Sequence, residues 1–227
     1  MAAIHTTTLT TVNIRLYVFQ PCSGFYTLAA RPNLVPELQE EIREAVAGDN
    51  GEFGSAVLQN MKKLDSLFKE TARFYPMSAV AFQRKALKPF MLSNGQVIPA
   101  GVIVEVPAGC IYADDEFFEN PEVFDYLCYY NLRQSKGLRA AGTKAAGVVA
   151  NSQFVSVSES SLNFGYGRHA CPGRFFVANE MKMITANILL HYEVKNPDGV
   201  TERHKNVRSG AQLVPDPTKK IMIRKIK

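Results

Sequence analysis

The sequence predicts a mainly α-helical fold with small antiparallel β-sheets, which is the α+β class. Two observations lead to this prediction. Apolar residues recur at helical spacing in three long windows, two in the first third of the chain and one in the last. Between residues 78 and 106, short apolar runs alternate with turn signals that contain glycine, proline and asparagine, as expected for short strands.

The composition is typical of a globular chain and argues against two classes of protein. The 227 residues, 46% hydrophobic and 21% charged, suffice for one large domain or two small ones. There is no run of about 18 apolar residues and no secretory pattern, so no membrane-spanning helix is predicted and we expect a cytoplasmic or peripheral location. The net charge of +5 is dispersed along the chain, so no nucleic-acid partner is expected, while a docking face for an acidic partner stays open.

The first regular helix is predicted to begin after Arg31. Asn33 is a candidate cap, Pro36 suits a first helical turn, and Gly48 ends the pattern. The predicted apolar face consists of Leu38, Ile42, Ala45 and Val46.

A second helix is predicted over Ser55–Phe74 as a single element, which Pro76 ends. Its charged residues are expected to lie mainly on the opposite side from the apolar face. That apolar face consists of Val57, Met61, Leu64 and Phe68.

Residues 79–82, 90–92 and 102–104 are predicted strands of one small antiparallel sheet. The turn signals at 94–95 and 99–101 separate them.

Residues 112–161 show little periodicity, which predicts an ordered meander followed by a flexible loop. The stretch 164–173 then leads into a third helix, and short strands around Tyr192 and residues 221–223 close the chain. The predicted apolar face of this helix consists of Val177, Met181, Ile184 and Ile188.

The cysteines are scattered, and none forms a CxxC pair. This spacing argues against a zinc site and a disulfide framework, and it favours a reducing compartment. The four are Cys22, Cys110, Cys128 and Cys171.

Cys171 ends a glycine-rich stretch and immediately precedes a predicted helix. Gly165, Gly167 and Gly173 allow tight backbone conformations and a close approach to a flat ligand. The N-terminal end of a helix stabilises an anion, so a thiolate is favoured at Cys171. For this pattern taken alone, a structural cysteine in a glycine-rich turn is the alternative.

The string FGYGRHACPG, residues 164–173, resembles the heme-binding signature of the cytochrome P450 family. The resemblance implies a truncated cytochrome P450 fold, heme b as the cofactor and Cys171 as the axial ligand of the iron. A thiolate ligand favours cleavage of the O–O bond of dioxygen, so monooxygenation is the implied reaction. The matching cofactor-binding positions are Phe164, Gly165, Gly167, His169, Cys171 and Gly173, with Arg174 following.

The run Glu70-Thr-Ala-Arg73 resembles the ExxR motif of the same family, and the IPAG turn at 98–101 and the FD pair at 124–125 follow in the family's order. The resemblance implies a structural role for Glu70 and Arg73 beneath the heme. Taken alone, their i, i+3 spacing equally suits an exposed ion pair on a helix. Cys128 stands where the family usually has an arginine, so we expect the Glu70 carboxylate to be partly unpaired.

Arg84 and His169 match positions that the family directs toward the heme propionates. Both side chains are suitable partners for a carboxylate. For Arg84, a surface arginine is the alternative.

The opening run Ala2–Thr7 resembles the distal-helix motif of the family. The resemblance places Thr6 on the threonine that orients bound dioxygen and its proton supply. His5 stands where an acid is usual; because histidine titrates near neutral pH, it is a candidate proton relay, with a surface histidine as the alternative.

The chain also departs from the family. Family members are longer, and we expect residues 1–227 to be a partial domain without the N-terminal half. Residues 1–30 are expected to hold the end of the distal helix and an atypical insertion, and residues 31–227 the helices, small sheet, meander and cysteine-ligand loop. The run RLYVFQPCSGF, residues 15–25, interrupts the family pattern and is interpreted as a retained intron or a gene-model error, which transcript reads across it would test.

The resemblance therefore implies a heme-thiolate monooxygenase that oxidises a small apolar organic substrate with O2 and electrons from NADPH-cytochrome P450 reductase. The runs AAIHTT and FGYGRHACPGRFF are similar to filamentous-fungal members engaged in secondary metabolism. Full-length relatives are expected on the cytosolic face of the endoplasmic reticulum membrane. Two alternatives stay open: a catalytically inactive heme-binding fragment, and a structural helical domain without a cofactor.

Overall fold

The computed structural model of the chain describes residues 19–48, 52–134 and 151–226. Within these ranges the fold is helical with small antiparallel sheets, which confirms the predicted class. The helices are α1 (Phe19–Ala30), α2 (Val35–Ala47), α3 (Ser55–Asn60), α4 (Lys62–Phe74), α5 (Ala108–Tyr112), α6 (Cys128–Gln134) and α7 (Arg174–His191). The strands are β1 (Ala81–Lys85), β2 (Phe90–Met91), β3 (Val97–Ile98), β4 (Ile103–Val106), β5 (Tyr192–Lys195), β6 (Asn206–Ser209), β7 (Gln212–Pro215) and β8 (Met222–Lys225). Among the described helices, none has the length and apolar content needed to span a membrane.

Helix α2 follows a short 3-10 turn over Pro32–Leu34. The predicted cap is wrong: Leu34 is the N-cap, and no side chain caps the helix. Asn33 lies inside the turn, which leads the backbone into the helix without a side-chain cap. The predicted apolar face is right at its centre, where the buried residues are Leu38 and Ile42.

Residues 55–74 form two helices where one was predicted. Met61 has a ψ angle of 72°, outside the helical region, and its side chain is fully buried. The break leaves free amides at the start of α4, and Glu41 of α2 accepts hydrogen bonds from those of Lys63 at 2.6 Å and Leu64 at 3.0 Å. The N-terminus of α4 is therefore capped by a carboxylate of another helix. The periodicity of residues 55–74 does not reveal this cap.

Helix α4 lies at the centre of the fold. Helices α1, α2 and α6 pack against it, and ten consecutive residues from Leu64 to Arg73 are buried. The prediction that its charged residues face away from the core is therefore wrong. A buried charge needs a partner, and each of the charged residues in this stretch has one: Asp65, Lys69, Glu70 and Arg73.

Helix α7 packs on α2 and α3 and runs directly into β5, which pairs antiparallel with β8. The two strands near Tyr192 and residues 221–223 are thereby confirmed. Ile184 was assigned to the wrong face, since it is 41% exposed. The actual buried stripe of α7 includes a charged residue and consists of Ala178, Met181, Lys182, Thr185, Ala186 and Leu189.

The strands between residues 81 and 106 form two two-stranded antiparallel sheets, β1–β4 and β2–β3, where a single sheet was predicted. The predicted turns are present, and Gly95 and Gly101 adopt φ angles of 86° and 88°, which favour glycine. The β1–β4 pairing ends where Ala86 and Val102 share a hydrogen bond of 2.8 Å. The β2–β3 hairpin extends beyond that point and therefore forms its own ladder.

In the described part of the meander lies a helix, α6, that the sequence did not predict. This helix packs on α4, and the Ser66 hydroxyl of α4 accepts a hydrogen bond from the Tyr130 amide at 3.0 Å. The predicted flexible loop at 135–150 lies outside the described residues.

The run interpreted as a retained intron is described from residue 19, within α1, where Ser23 and Phe25 are buried. The intron interpretation and the division of the chain at residue 30 stay predictions.

Candidate functional site

The loop of residues 162–173, called the cysteine loop from here on, places Cys171 immediately before α7. The Cys171 amide donates to the Phe164 carbonyl at 2.7 Å, which closes the loop. Gly173 is the N-cap of the 18-residue helix, and Cys171 lies two residues before that N-cap. The thiol is partly buried and forms no disulfide. A helix N-terminus favours a negative charge nearby, so this position suits a thiolate.

Two glycines of the cysteine loop have conformations that other residues rarely adopt. Gly165 has a φ angle of 74° and Gly167 one of 61°. A Cβ atom at Gly165 would lie 3.1 Å from the His169 carbonyl oxygen, so the loop backbone would have to shift by a few tenths of an ångström to admit a side chain. Glycine at position 165 is therefore required by both the backbone conformation and the space around it.

Aromatic side chains anchor the start of the cysteine loop to the core. The rings of Phe164 and Phe154 lie 5.1 Å apart, and Phe154 lies 5.8 Å from Phe68 of α4. The Tyr112 hydroxyl accepts a hydrogen bond from the Leu162 amide at 3.0 Å. Burial raises the pKa of Tyr112 to about 12, so its hydroxyl stays protonated at neutral pH.

Arg174 anchors the other end of the loop. Its guanidinium donates to the Cys171 carbonyl at 2.9 Å and to the Val155 carbonyl at 3.1 Å. Both ends of the cysteine loop are therefore held by contacts outside it.

A cavity of about 520 Å³ lies between the β1–β4 sheet and the cysteine loop. Its wall is partly aromatic, and the rings of Phe82 and Tyr166 meet edge to face at 6.2 Å. The lining residues are Phe82, Arg84, Lys85, Ala86, Phe90, Val104, Val106, Tyr166, Arg168 and His169.

The structure brings the two predicted propionate partners, Arg84 and His169, to this one cavity. Arg84 is exposed and donates to the Gln83 carbonyl at 2.8 Å. The Arg168 guanidinium donates to Nε2 of His169 at 3.1 Å, which adds a second arginine to the rim. Such cations suit a ligand that carries carboxylates.

Phe82 was missed by sequence reasoning. It has a φ angle of 55°, rare for a residue with a side chain, and it lies at an irregularity in the β1–β4 register between Ala81 and Arg84. Strained positions of this kind cluster at ligand sites. Nothing in the local sequence signals this conformation.

Glu70 and Arg73 form a buried pair, so the exposed ion pair considered for them is wrong. Two guanidinium nitrogens of Arg73 each donate to a Glu70 oxygen at 2.8 Å, and the side chains are 1% and 6% exposed. Arg73 also donates to the carbonyls of Tyr112 and Pro121, both at 2.8 Å. This pair ties α4 to the meander, as a structural role requires.

The expected partial unpairing of Glu70 is also wrong. The Asp125 amide donates to Glu70 at 3.1 Å, so both oxygens are engaged without an arginine at position 128. Burial raises the pKa of Glu70, while the bonds from Arg73 oppose the rise. Burial, together with the nearby Glu70 charge, raises the pKa of Cys128 well above its ordinary value and keeps its thiol neutral.

The donor set fits a heme. Among the described residues, no group of three or more His, Cys, Asp or Glu side chains is placed to hold a metal ion. A heme asks for only one or two protein ligands, because the porphyrin supplies the others. Cys171 can provide that ligand, with an aromatic wall and a cationic rim close by. The candidate residues Thr6 and His5 lie outside the described residues.

Comparison with known proteins agrees with this geometry. The profile of the family described as Cytochrome P450 matches residues 1–223. The chain is 38% identical over 203 residues to cytochrome P450 monooxygenase ATR3 of Stachybotrys chlorohalonatus, covering 89% of this chain and 42% of that protein. It is 38% identical over 226 residues to cytochrome P450 monooxygenase braC of Annulohypoxylon truncatum, covering 100% and 41%.

A third relative is cytochrome P450 monooxygenase BOA4 of Botryotinia fuckeliana, 37% identical over 223 residues, which cover 98% of this chain and 41% of that protein. The chain thus spans about two fifths of the length of these curated relatives. The predicted family resemblance is confirmed over nearly the whole sequence, and the chain belongs to the cytochrome P450 family.

Proposed function

We propose that this chain carries the thiolate-ligand half of a heme monooxygenase, with Cys171 as the axial ligand of heme b. The observation that carries the proposal is the position of Cys171, partly buried and two residues before the N-cap of α7, in a loop held at both ends. Family membership implies a heme, and the names of the three relatives contain the word monooxygenase. When bound, a thiolate-ligated heme supplies cleavage of the O–O bond of dioxygen.

Different residues of the chain would contact different parts of the heme. Arg84 and His169 would bind the propionates from the cavity rim, and Phe82 and Tyr166 would cover part of the ring. Gly165 and Gly167 would let the cysteine loop approach its face. Glu70 and Arg73 would act from the core by fixing the meander to α4.

The wider function extends this proposal. From the family relationship we also propose small apolar substrates, electrons from NADPH-cytochrome P450 reductase and a role in fungal secondary metabolism. The proposed location is the cytosolic face of the endoplasmic reticulum membrane. Thr6 would orient dioxygen and His5 would relay protons. The Thr6→Ala variant should bind heme as the wild type does and lose substrate turnover.

A carbon monoxide difference spectrum of the reduced, heme-supplied chain tests the proposal. A thiolate-type Soret band is expected for the wild type and should be absent in Cys171→Ala. The matched control is Cys110→Ala, which removes another free, exposed cysteine and should keep the band. A thiolate band that survives in Cys171→Ala would overturn the ligand assignment. A wild-type band without turnover in the presence of a reductase would identify a heme-binding chain that is inactive.

A further inference from the structure

A charged cluster lies inside the protein beside the segment that leads into the cysteine loop. Lys69 of α4 is 4% exposed, and its ammonium donates to the Gln153 carbonyl at 2.9 Å and to the Ser161 hydroxyl at 3.0 Å. These two acceptors stand near the two ends of residues 152–161, which run directly into the cysteine loop. One side chain therefore joins both ends of this segment to the central helix.

Asp65, one helical turn before Lys69, holds the same segment. Its carboxylate accepts a hydrogen bond from the Phe154 amide at 3.0 Å. It also forms ion pairs with Lys182 of α7 at 2.7 Å and with Arg133 of α6 at 3.0 Å. The charge of Asp65 is thus balanced by cations on neighbouring helices, whereas the hydrogen bonds of Lys69 to described residues go to the segment.

The held segment is coupled to the site through direct contacts. Phe154, bonded to Asp65, packs its ring on Phe164 at 5.1 Å, and the Phe164 carbonyl accepts the Cys171 amide. At the other end, Ser161 immediately precedes Leu162, whose carbonyl accepts the Gly165 amide at 2.9 Å. A displacement of the segment would therefore be transmitted to both sides of the cysteine loop.

We propose that Lys69 is a positioning residue for the thiolate ligand: its side-chain Nζ donates the hydrogen bonds that fix residues 153 and 161, so that the cysteine loop holds Cys171 in one place. The proposal rests on the proposed heme-thiolate function. Lys69 touches neither Cys171 nor the cavity of about 520 Å³ beside the loop, so its effect passes through the segment.

Substitution of Lys69 by methionine separates positioning from general stability. Methionine has a similar length and no charge, so it removes the hydrogen bonds to the segment without leaving a buried charge behind. The midpoint of thermal unfolding of Lys69→Met should not fall below that of the wild type. Amide exchange of Phe154 and its neighbours should nevertheless accelerate about tenfold or more, and the thiolate-type band should lose intensity to the thiol-ligated form.

Two further variants keep the test specific. Lys62→Met removes an exposed lysine of the same helix and should change neither amide exchange of the segment nor the spectrum. Ser161→Ala removes one of the two acceptors and should give a smaller effect in the same direction as Lys69→Met. An unfolded Lys69→Met would leave Ser161→Ala to decide the question in the same two assays.

The outcomes also distinguish failure of this proposal from failure of the proposed function. Unchanged exchange of the segment in both Lys69→Met and Ser161→Ala would overturn the positioning role. Accelerated amide exchange of the segment in Lys69→Met together with a fully retained thiolate band would also overturn it. Absence of a thiolate band in the wild type would instead overturn the proposed function, because amide exchange needs no heme.

Discussion

Lys69 should make the stability of this protein depend on pH in an unusual direction. Its ammonium is buried, and burial lowers the pKa of Lys69 to about 7, against 10.5 ordinarily. Between these two values the unfolded chain holds a proton that the native protein has released. The free energy of unfolding must therefore rise with pH across this window.

The size of the effect follows from the two pKa values. Each pH unit over which the unfolded state binds one more proton adds about 1.4 kcal/mol. Since Lys69 is half protonated in the native protein near its own pKa, the gain between about pH 7 and pH 9 amounts to about 2 kcal/mol. Lys69→Met binds no proton at this position in either state, so the variant should lack this gain.

Urea denaturation followed by circular dichroism at several pH values in this window would measure the difference. The free energy of unfolding should climb by about 2 kcal/mol more in the wild type than in Lys69→Met. Exposed Lys62→Met should retain the wild-type slope. Equal slopes for the wild type and Lys69→Met would mean that Asp65 keeps Lys69 charged in the folded protein, and the reasoning would be refuted.

Three other substitutions have expected outcomes. Arg73→Met leaves the Glu70 carboxylate buried without its main partner, so urea denaturation should show a loss of about 3–5 kcal/mol; a loss below about 1 kcal/mol would contradict a tightly bonded pair. Gly165→Ala should lower the thermal midpoint more than Gly199→Ala, because both have positive φ but only Gly165 is crowded; equal shifts would exclude crowding. Tyr112→Phe leaves a loop amide unpaired and should cost about 1–3 kcal/mol by the same denaturation assay, whereas an unchanged midpoint would argue against that bond.

The cysteine loop could be predicted from the sequence because its conformation is determined by residues within the loop and the adjacent helix. Gly165 and Gly167 are needed for their own φ angles, and Cys171 precedes a helix whose periodicity is visible. Helix α2 and the turns at Gly95 and Gly101 are readable for the same reason. In each case the residues that fix the conformation lie within one or two turns of it.

The polar core could not be predicted, because burial of α4 depends on what packs around it. Lys69 and Glu70 have the spacing of an exposed, charged face, and only the meander and α6 convert that face into an interior. The partner that completes the bonding of Glu70 is the Asp125 amide, and a backbone group has no signature in a sequence. The strained Phe82 has none either, since its φ angle reflects the register of two strands.

Glu41 of α2 caps α4 through a contact between residues distant in the chain, and this contact bears on the order in which the two helices form. The carboxylate and the Lys63 amide are 22 residues apart in the chain, so the first turn of the central helix stays incomplete until α2 docks. Closing that loop costs chain entropy before any bond is formed. We therefore expect docking of α2 on α4 to precede ordering of the segments that rest on α4, the one that leads to Cys171 among them.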